Sequence, residues 1–116
     1  MLMLSVAKLR FDHNAKPNRH AFHDVGLAVG NLIVQATALG LFAHQMAGFS
    51  ADKAREHFNI PNGYDPVAAI AIGYLGDPKT LAEDFREREA APRSREALTD
   101  LVFSTEWGKP ADLFER

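Results

Sequence analysis

The chain of 116 residues contains no cysteine. That removes disulfide frameworks, thiolate metal sites and a thiol nucleophile together, and leaves the redox compartment open. Neither sign of charge is in excess: the formal net charge is −2 with histidine neutral. A general attraction to nucleic acid or to an anionic membrane surface is therefore not built in. Gly-rich phosphate loops, internal repeats and low-complexity segments are also missing. The apolar start, residues 1–4, is too short for the core of a signal peptide and is soon interrupted by Lys8 and Arg10. These absences leave a single domain over residues 1–116, expected in the cytoplasm.

A clean apolar run of membrane length is lacking as well. The longest candidate, residues 21–41 (AFHDVGLAVGNLIVQATALGL), carries Asn31, Gln35 and Thr37 in its middle and His20, His23 and Asp24 at its start. The run is instead expected to form a long central helix. Val25, Val29, Leu32, Ala36 and Leu39 recur at helical spacing, and Leu27, Val34, Ala38 and Leu41 form a second stripe. Two stripes predict a helix buried nearly all round. Asp24 suits the positive end of the helix dipole, and Gly40 is a stop signal. Gly26, Ala28 and Gly30 mark close approach of another helix or strand, in this chain or in a second copy.

Around this helix the patterning predicts α+β structure. Residues 2–11 mix apolar and polar positions as a strand, and residues 12–19 (DHNAKPNR) form a loop. Residues 42–49 (FAHQMAGF) are expected to be a non-helical connection. Ser50 is an N-cap for a short helix over residues 51–58, and residues 59–66 are turn-rich. Residues 67–74 (VAAIAIGY) form a buried strand bounded by Pro66 and Gly76. Asp77 and Pro78 start a helix over residues 79–89, and residues 96–102 form another short one. The tail is polar to its end.

Few residues suggest chemistry on their own. His20 and His23 have metal-ligand spacing, but His13, His44 and His57 lie on separate elements, so no third ligand is apparent and no metal site is expected. The carboxylates Glu83, Asp84, Glu87 and Glu89 suit a solvated helix face. Gly48, in Gln45-Met46-Ala47-Gly48-Phe49, has two readings: a loop glycine held at positive φ, or a point where a planar ligand approaches the backbone. Arg93 and Arg95 flank Ser94 just after Pro92. They are either solvated or suited to a phosphate, which guanidinium groups bind by paired hydrogen bonds.

The ordered segments NRHAFHDVGLAVGNLIVQATALGLFAHQMAGFSADKAREHFNIP, VAAIAIGYLGDP and APRSREALTDLVFSTEWGKP resemble the C-terminal portion of the FMN-dependent nitroreductase family, from residue 6 to residue 110. The resemblance implies an α+β fold in which a mixed sheet is packed by a long central helix. It also implies a homodimer with FMN at its interface, NADH or NADPH as electron donor, and nitroaromatic, quinone or similar small-molecule acceptors. By the same resemblance, the Ala47 and Gly48 backbone meets the flavin ring, and Arg93 and Arg95 lie near the ribityl phosphate. His44 and Met46 would lie nearby. A catalytic acid or base is not assigned, since the flavin carries the redox chemistry. The family's Arg-rich N-terminal segment has no counterpart in this sequence, so the N-terminal half of the fold is expected to be missing, through truncation, a mis-assigned start or a split gene. Two functions follow from the resemblance: an FMN-dependent oxidoreductase, or a non-catalytic remnant that dimerises or binds a partner such as the missing half.

Overall fold

A computed structural model describes residues 1–112; of the polar tail, residues 113–116 lie outside the described residues. The chain gathers into two compact units, Met1–Gly76 and Asp77–Arg116.

The first unit is α+β. It runs β1 (Leu2–Lys8), α1 (Ala21–Ala38), β2 (Phe42–Met46), α2 (Ala51–Phe58) and β3 (Tyr64–Gly73). The strands are ordered β1-β3-β2, and both pairings are antiparallel. The sheet this chain forms is thus antiparallel, where the family resemblance implied a mixed one. Ile70, at the middle of β3, is fully buried. With Ile72 it meets Val29 and Ala36 of α1, and Met3, Val25, Leu32, Ile33, Leu41 and Ala43 pack around them. α1 therefore covers the sheet face that carries Met3, Ala43, Ile70 and Ile72. Side chains alternate along a strand, so Leu2, Leu4 and Ala69 point to the other face.

Only one stripe of α1 is buried. Val29 and Ala36 are inside, but Phe22, Leu27, Val34 and Leu39 are at least half exposed, with Val34 at 70%. The expectation of burial all round is corrected: Leu27 and Val34 of the second stripe and Leu39 of the first face outward with no core partner among the described residues, while Leu41 of the second stripe packs into the core. The helix also ends earlier than residue 41. Gly40 at φ 74° turns the chain, its N–H donating to the Thr37 carbonyl at 3.0 Å while the Leu41 N–H donates to the Ala36 carbonyl at 2.9 Å. That pair of bonds is a Schellman cap, and the packing of Leu41 beside Ala36 in the core supplies its usual apolar contact.

β1 is shorter than predicted and β3 longer, for related reasons. β1 stops at Lys8, after which Arg10 pairs with Pro17 and the Phe11 N–H donates to the Lys16 carbonyl at 3.0 Å, closing a tight loop. β3 begins at Tyr64 and runs through Pro66, where the sequence suggested a boundary. Proline lacks a ladder donor and is tolerated inside a sheet at a bulge. The register shifts between Ser5, which faces Ala68, and Val6, which faces Pro66, leaving Val67 of β3 as the extra residue. The Ser5 hydroxyl accepts from the Ala68 N–H at 3.1 Å and donates to the Ala68 carbonyl at 3.2 Å, repairing the ladder at the irregularity. Residues 42–46 are also a strand rather than an irregular connection. β2 is short, lies at the sheet edge and exposes His44 and Gln45, so its alternation is weak.

α2 has the predicted bounds. Ser50 Oγ accepts from the Lys53 N–H at 3.3 Å, and the helix ends at Asn59 in the left-handed region, φ 51°. An Arg55–Asp65 ion pair, about one-third exposed on each side, ties α2 to β3. Lys8 pairs with Asp12, and its ammonium is held above the ordinary lysine range by hydrogen bonds to Asp12 and then Tyr64. This contribution is complete below the unfolded lysine pKa and is lost as pH rises through the raised folded value.

In the second unit the helix predicted over residues 79–89 divides. Asp77 caps a 3-10 turn, Pro78–Thr80, with its carboxylate accepting from the Lys79 N–H at 2.9 Å, and the Thr80 hydroxyl donates to the Asp77 carbonyl at 2.7 Å. These local bonds compete with helix propagation. Leu81 and Ala82 are extended, and α3 starts only at Glu83, running to Ala90. The helix expected over residues 96–102 is reduced to a 3-10 turn, Leu98–Asp100. Beyond it, Phe103 bridges Pro110, with the Phe103 and Trp107 rings 5.1 Å apart and Trp107 94% exposed.

Three substitutions test this account by urea unfolding. Ile70→Ala is expected to cost about 2–5 kcal/mol because the site is fully enclosed, whereas Val34→Ala on the outer stripe should stay within about 0.5 kcal/mol. Ser5→Ala should cost about 1–2 kcal/mol through the stranded Ala68 peptide groups.

Candidate functional site

The loop between β2 and α2 is held at both ends. On one side β2 pairs with β3 as far as Met46 against Ala69, and on the other Ser50 caps α2. Between these anchors the Phe49 N–H donates to the Ala47 carbonyl at 2.9 Å, a tight turn centred on Gly48. Ala47 and Gly48 are exposed.

Gly48 has no conformational reason within the chain to be glycine. The glycines at positive φ are Gly40, Gly63 and Gly108, so the reading of Gly48 as a positive-φ loop glycine is set aside. A Cβ added at Gly48 would also meet nothing within 4 Å. Its N–H donates to no backbone carbonyl among the described residues. A smooth, exposed stretch of backbone with a free donor is what a flat ligand carrying ring heteroatoms requires. His44, exposed on β2, and half-buried Met46 precede it on the same segment.

Arg93 and Arg95 lie in the second unit, on exposed chain between α3 and the Leu98–Asp100 turn. Arg95 Nη1 donates to the neighbouring Ser94 carbonyl at 2.8 Å. The two exposed guanidinium groups suit a dianionic phosphate in charge and in donor geometry. Arg93 and Arg95 belong to the second unit, Ala47 and Gly48 to the first. Among the described residues no group of three His, Asp or Glu is placed to hold a metal ion; the rings of His20 and His23 stand edge to face, 6.3 Å apart. No described helix is long and apolar enough to cross a membrane.

One feature was missed in the sequence. Beside the loop, an apolar groove of about 600 Å³ opens between α2 and the sheet face not covered by α1. Leu2, Leu4, Phe49, Ala54, Phe58 and Ile60 line it, with Lys53 and His57 among its few polar groups. The lining comes from three separated stretches, β1, residues 49–60 and Ala69 of β3, so no single stretch signals it.

Residues 1–74 match the sequence profile of the nitroreductase family. A Mycolicibacterium smegmatis protein described as an uncharacterized 15.4 kDa protein in the ask 5′ region is 41% identical over 92 residues, which are 79% of this chain and 62% of that one. Among solved structures, an oxidoreductase containing FMN superposes with a TM-score of 0.83 at 33% identity, covering 91% of this chain and 55% of its own. A nitroreductase family protein from Clostridium difficile 630 follows at 0.62 and 22% identity, covering 90% of this chain and 59% of its own. At that lower identity the likeness is one of fold. The chain spans little more than half the length of the solved relatives and about three-fifths of the curated one.

Gly48→Ala should leave unfolding free energy within about 0.5 kcal/mol, because neither φ nor packing demands glycine there. Gly40→Ala, at φ 74°, should cost about 1–2 kcal/mol in the same measurement.

Proposed function

Because the chain belongs to the nitroreductase family, we propose that it forms the C-terminal part of an FMN-dependent oxidoreductase, with the Ala47 and Gly48 backbone against the flavin ring and Arg93 and Arg95 at the phosphate. The observation that carries this reading is Gly48: an exposed glycine that the fold itself does not need. The solved relative at 33% identity, an oxidoreductase containing FMN, supports the choice of cofactor. When bound, FMN supplies the electron transfer, from NADH or NADPH to a nitroaromatic, quinone or similar acceptor. This chain's own part is to bind and orient. Gly48 admits the ring edge close to a backbone donor, and the two guanidinium groups neutralise the phosphate. The setting proposed for the reaction is the cytoplasm.

Its partner is proposed to be a second copy, a polypeptide supplying the rest of the fold, or both. The outer stripe of α1 supports a second copy. Gly26 and Gly30 sit in mid-helix with open space where a Cβ would stand, and Leu27 and Val34 beside them are exposed. Glycine in a helix interior costs about 0.8–1 kcal/mol relative to alanine. Nothing among the described residues offsets that cost, whereas a closely approaching helix would.

Arg95→Ala should weaken FMN about ten- to a hundredfold, equivalent to roughly 1.5–3 kcal/mol, and affect riboflavin far less. Gly48→Val should weaken both alike. Fluorescence titration with FMN in large excess reads both, and equal losses for the two flavins on Arg95→Ala would remove the phosphate assignment. No flavin binding by the chain with or without a complementing half would instead support the non-catalytic scaffold. Ala28→Glu, at an exposed position, should leave the protomer folded and lower self-association, read by light scattering; an unchanged dimer would move the interface elsewhere.

A further inference from the structure

Residues 102–111 of the second unit form a small closed loop. The Ala111 N–H donates to the Val102 carbonyl at 3.0 Å, the Ser104 N–H to the Lys109 carbonyl at 3.0 Å, and the Glu106 N–H to the Ser104 carbonyl at 2.8 Å. Gly108, at φ 84°, turns the chain back, and Thr105 stands at φ 66°. A β-branched residue in the left-handed region is an outlier, and such strain persists only where the surrounding bonds over-determine it. The loop is therefore a held conformation. What it holds is Trp107, 94% exposed, beside half-buried Phe103. Tryptophan has more apolar area to lose to water than any other side chain, so a stiff loop that keeps it outside presents a ready-made contact surface.

We infer that the corner between Phe103 and Trp107 binds an organic cation carrying a methylated ammonium group. The two ring centroids are 5.1 Å apart and the planes are inclined at 58°, so the rings meet at an angle and do not stack. They open on a depression of about 370 Å³ whose other walls are Thr105 and Glu106. The face of an aromatic ring carries the negative side of its quadrupole and attracts a cation. The Glu106 carboxylate is the one formal charge in this lining, and Lys109 of the same loop is not part of it. Rings and carboxylate thus favour the same sign. The lining also selects among cations. A metal ion needs more oxygen ligands than one carboxylate and one hydroxyl supply. A primary ammonium brings three N–H donors that the two rings leave unsatisfied. A methylated ammonium spreads its charge over apolar surface that suits both rings and asks for no hydrogen bond. The loop contains no residue assigned to flavin, so the inference stands without the cofactor reading.

Trp107 is the chain's single tryptophan, so its fluorescence reports on the corner alone. The full 116-residue chain is titrated with choline and, separately, with choline's neutral isostere, in which a tert-butyl group replaces the trimethylammonium. The expected result is a saturable change in emission with choline and a response to the neutral alcohol weaker by about fivefold or more. Glu106→Gln, at an exposed position, should weaken choline by about two- to fivefold, and added salt should weaken wild type more than this variant. Phe103→Leu, which removes one ring and keeps an apolar side chain, should cost about as much. Phe85→Leu, an exposed aromatic outside the loop, should change nothing. The inference is overturned by equal binding of the neutral isostere, by the absence of a saturable response, or by a choline response indifferent to both Glu106→Gln and Phe103→Leu. A blue shift of Trp107 that grows with protein concentration and shuts out choline would overturn it too, and would give the corner to a second copy.

Discussion

Val29 and Ala36 against Ile70 and Ile72 make the contact on which the first unit depends. It joins the one long helix to the central strand, and it fixes which side of the sheet is inside. The contact is small. Two of its members sit on a helix whose opposite stripe remains apolar and open, and the strand it rests on is held by two edge strands. A core of this size stabilises a protomer modestly, since burial of each aliphatic side chain is worth only about 1.5–3 kcal/mol before chain entropy is set against it. The open surfaces on α1 and on the far face of the sheet are therefore of one kind: apolar area that the sequence provides and the chain alone leaves in water.

Glycine carries a second theme. Gly40 is required by its own backbone, at a Schellman cap that turns α1 into β2. Gly26, Gly30 and Gly48 are not required by anything the chain does to itself. The same residue type thus separates into positions explained from inside the fold and positions that look outward. Only coordinates distinguish them, because a glycine's φ and its neighbours are not written in its identity.

Local chemistry was legible in the sequence and non-local chemistry was not. Ser50 as a cap set the bounds of α2, and Gly40 announced the end of the long helix, since both act within a few residues. Pro66 misled, because the irregularity that accommodates it, with Val67 beside it left out of the pairing, is set by the register against β1, some sixty positions away in the chain. β2 was hidden because an edge strand of five residues exposing His44 and Gln45 has little apolar alternation to display. The periodicity over residues 79–89 was real but had no surface to pack on, and Asp77 and Thr80 closed a turn instead. For the site, the positions Ala47, Gly48, Arg93 and Arg95 were named from the sequence through family resemblance. The choice between the two readings of Gly48 needed its backbone angle, and the groove needed three separated stretches brought together.

The strand order has a consequence for how the molecule comes into being. β1 precedes β2 and β3 in the sequence, yet β1 and β2 do not pair with each other; both wait for β3, the last of the described strands. Until residue 64 or so has emerged, β1 exists as an unpaired apolar strand while α1, whose bonds are all local, is already able to form. Contacts of long sequence separation slow folding and leave strand edges open to other chains in the interval. The bond from Ser5 to Ala68, 63 residues apart, is made only after β3 arrives. Among these elements the helix is therefore the one that needs nothing distant, and the sheet the one that must await the emergence of β3.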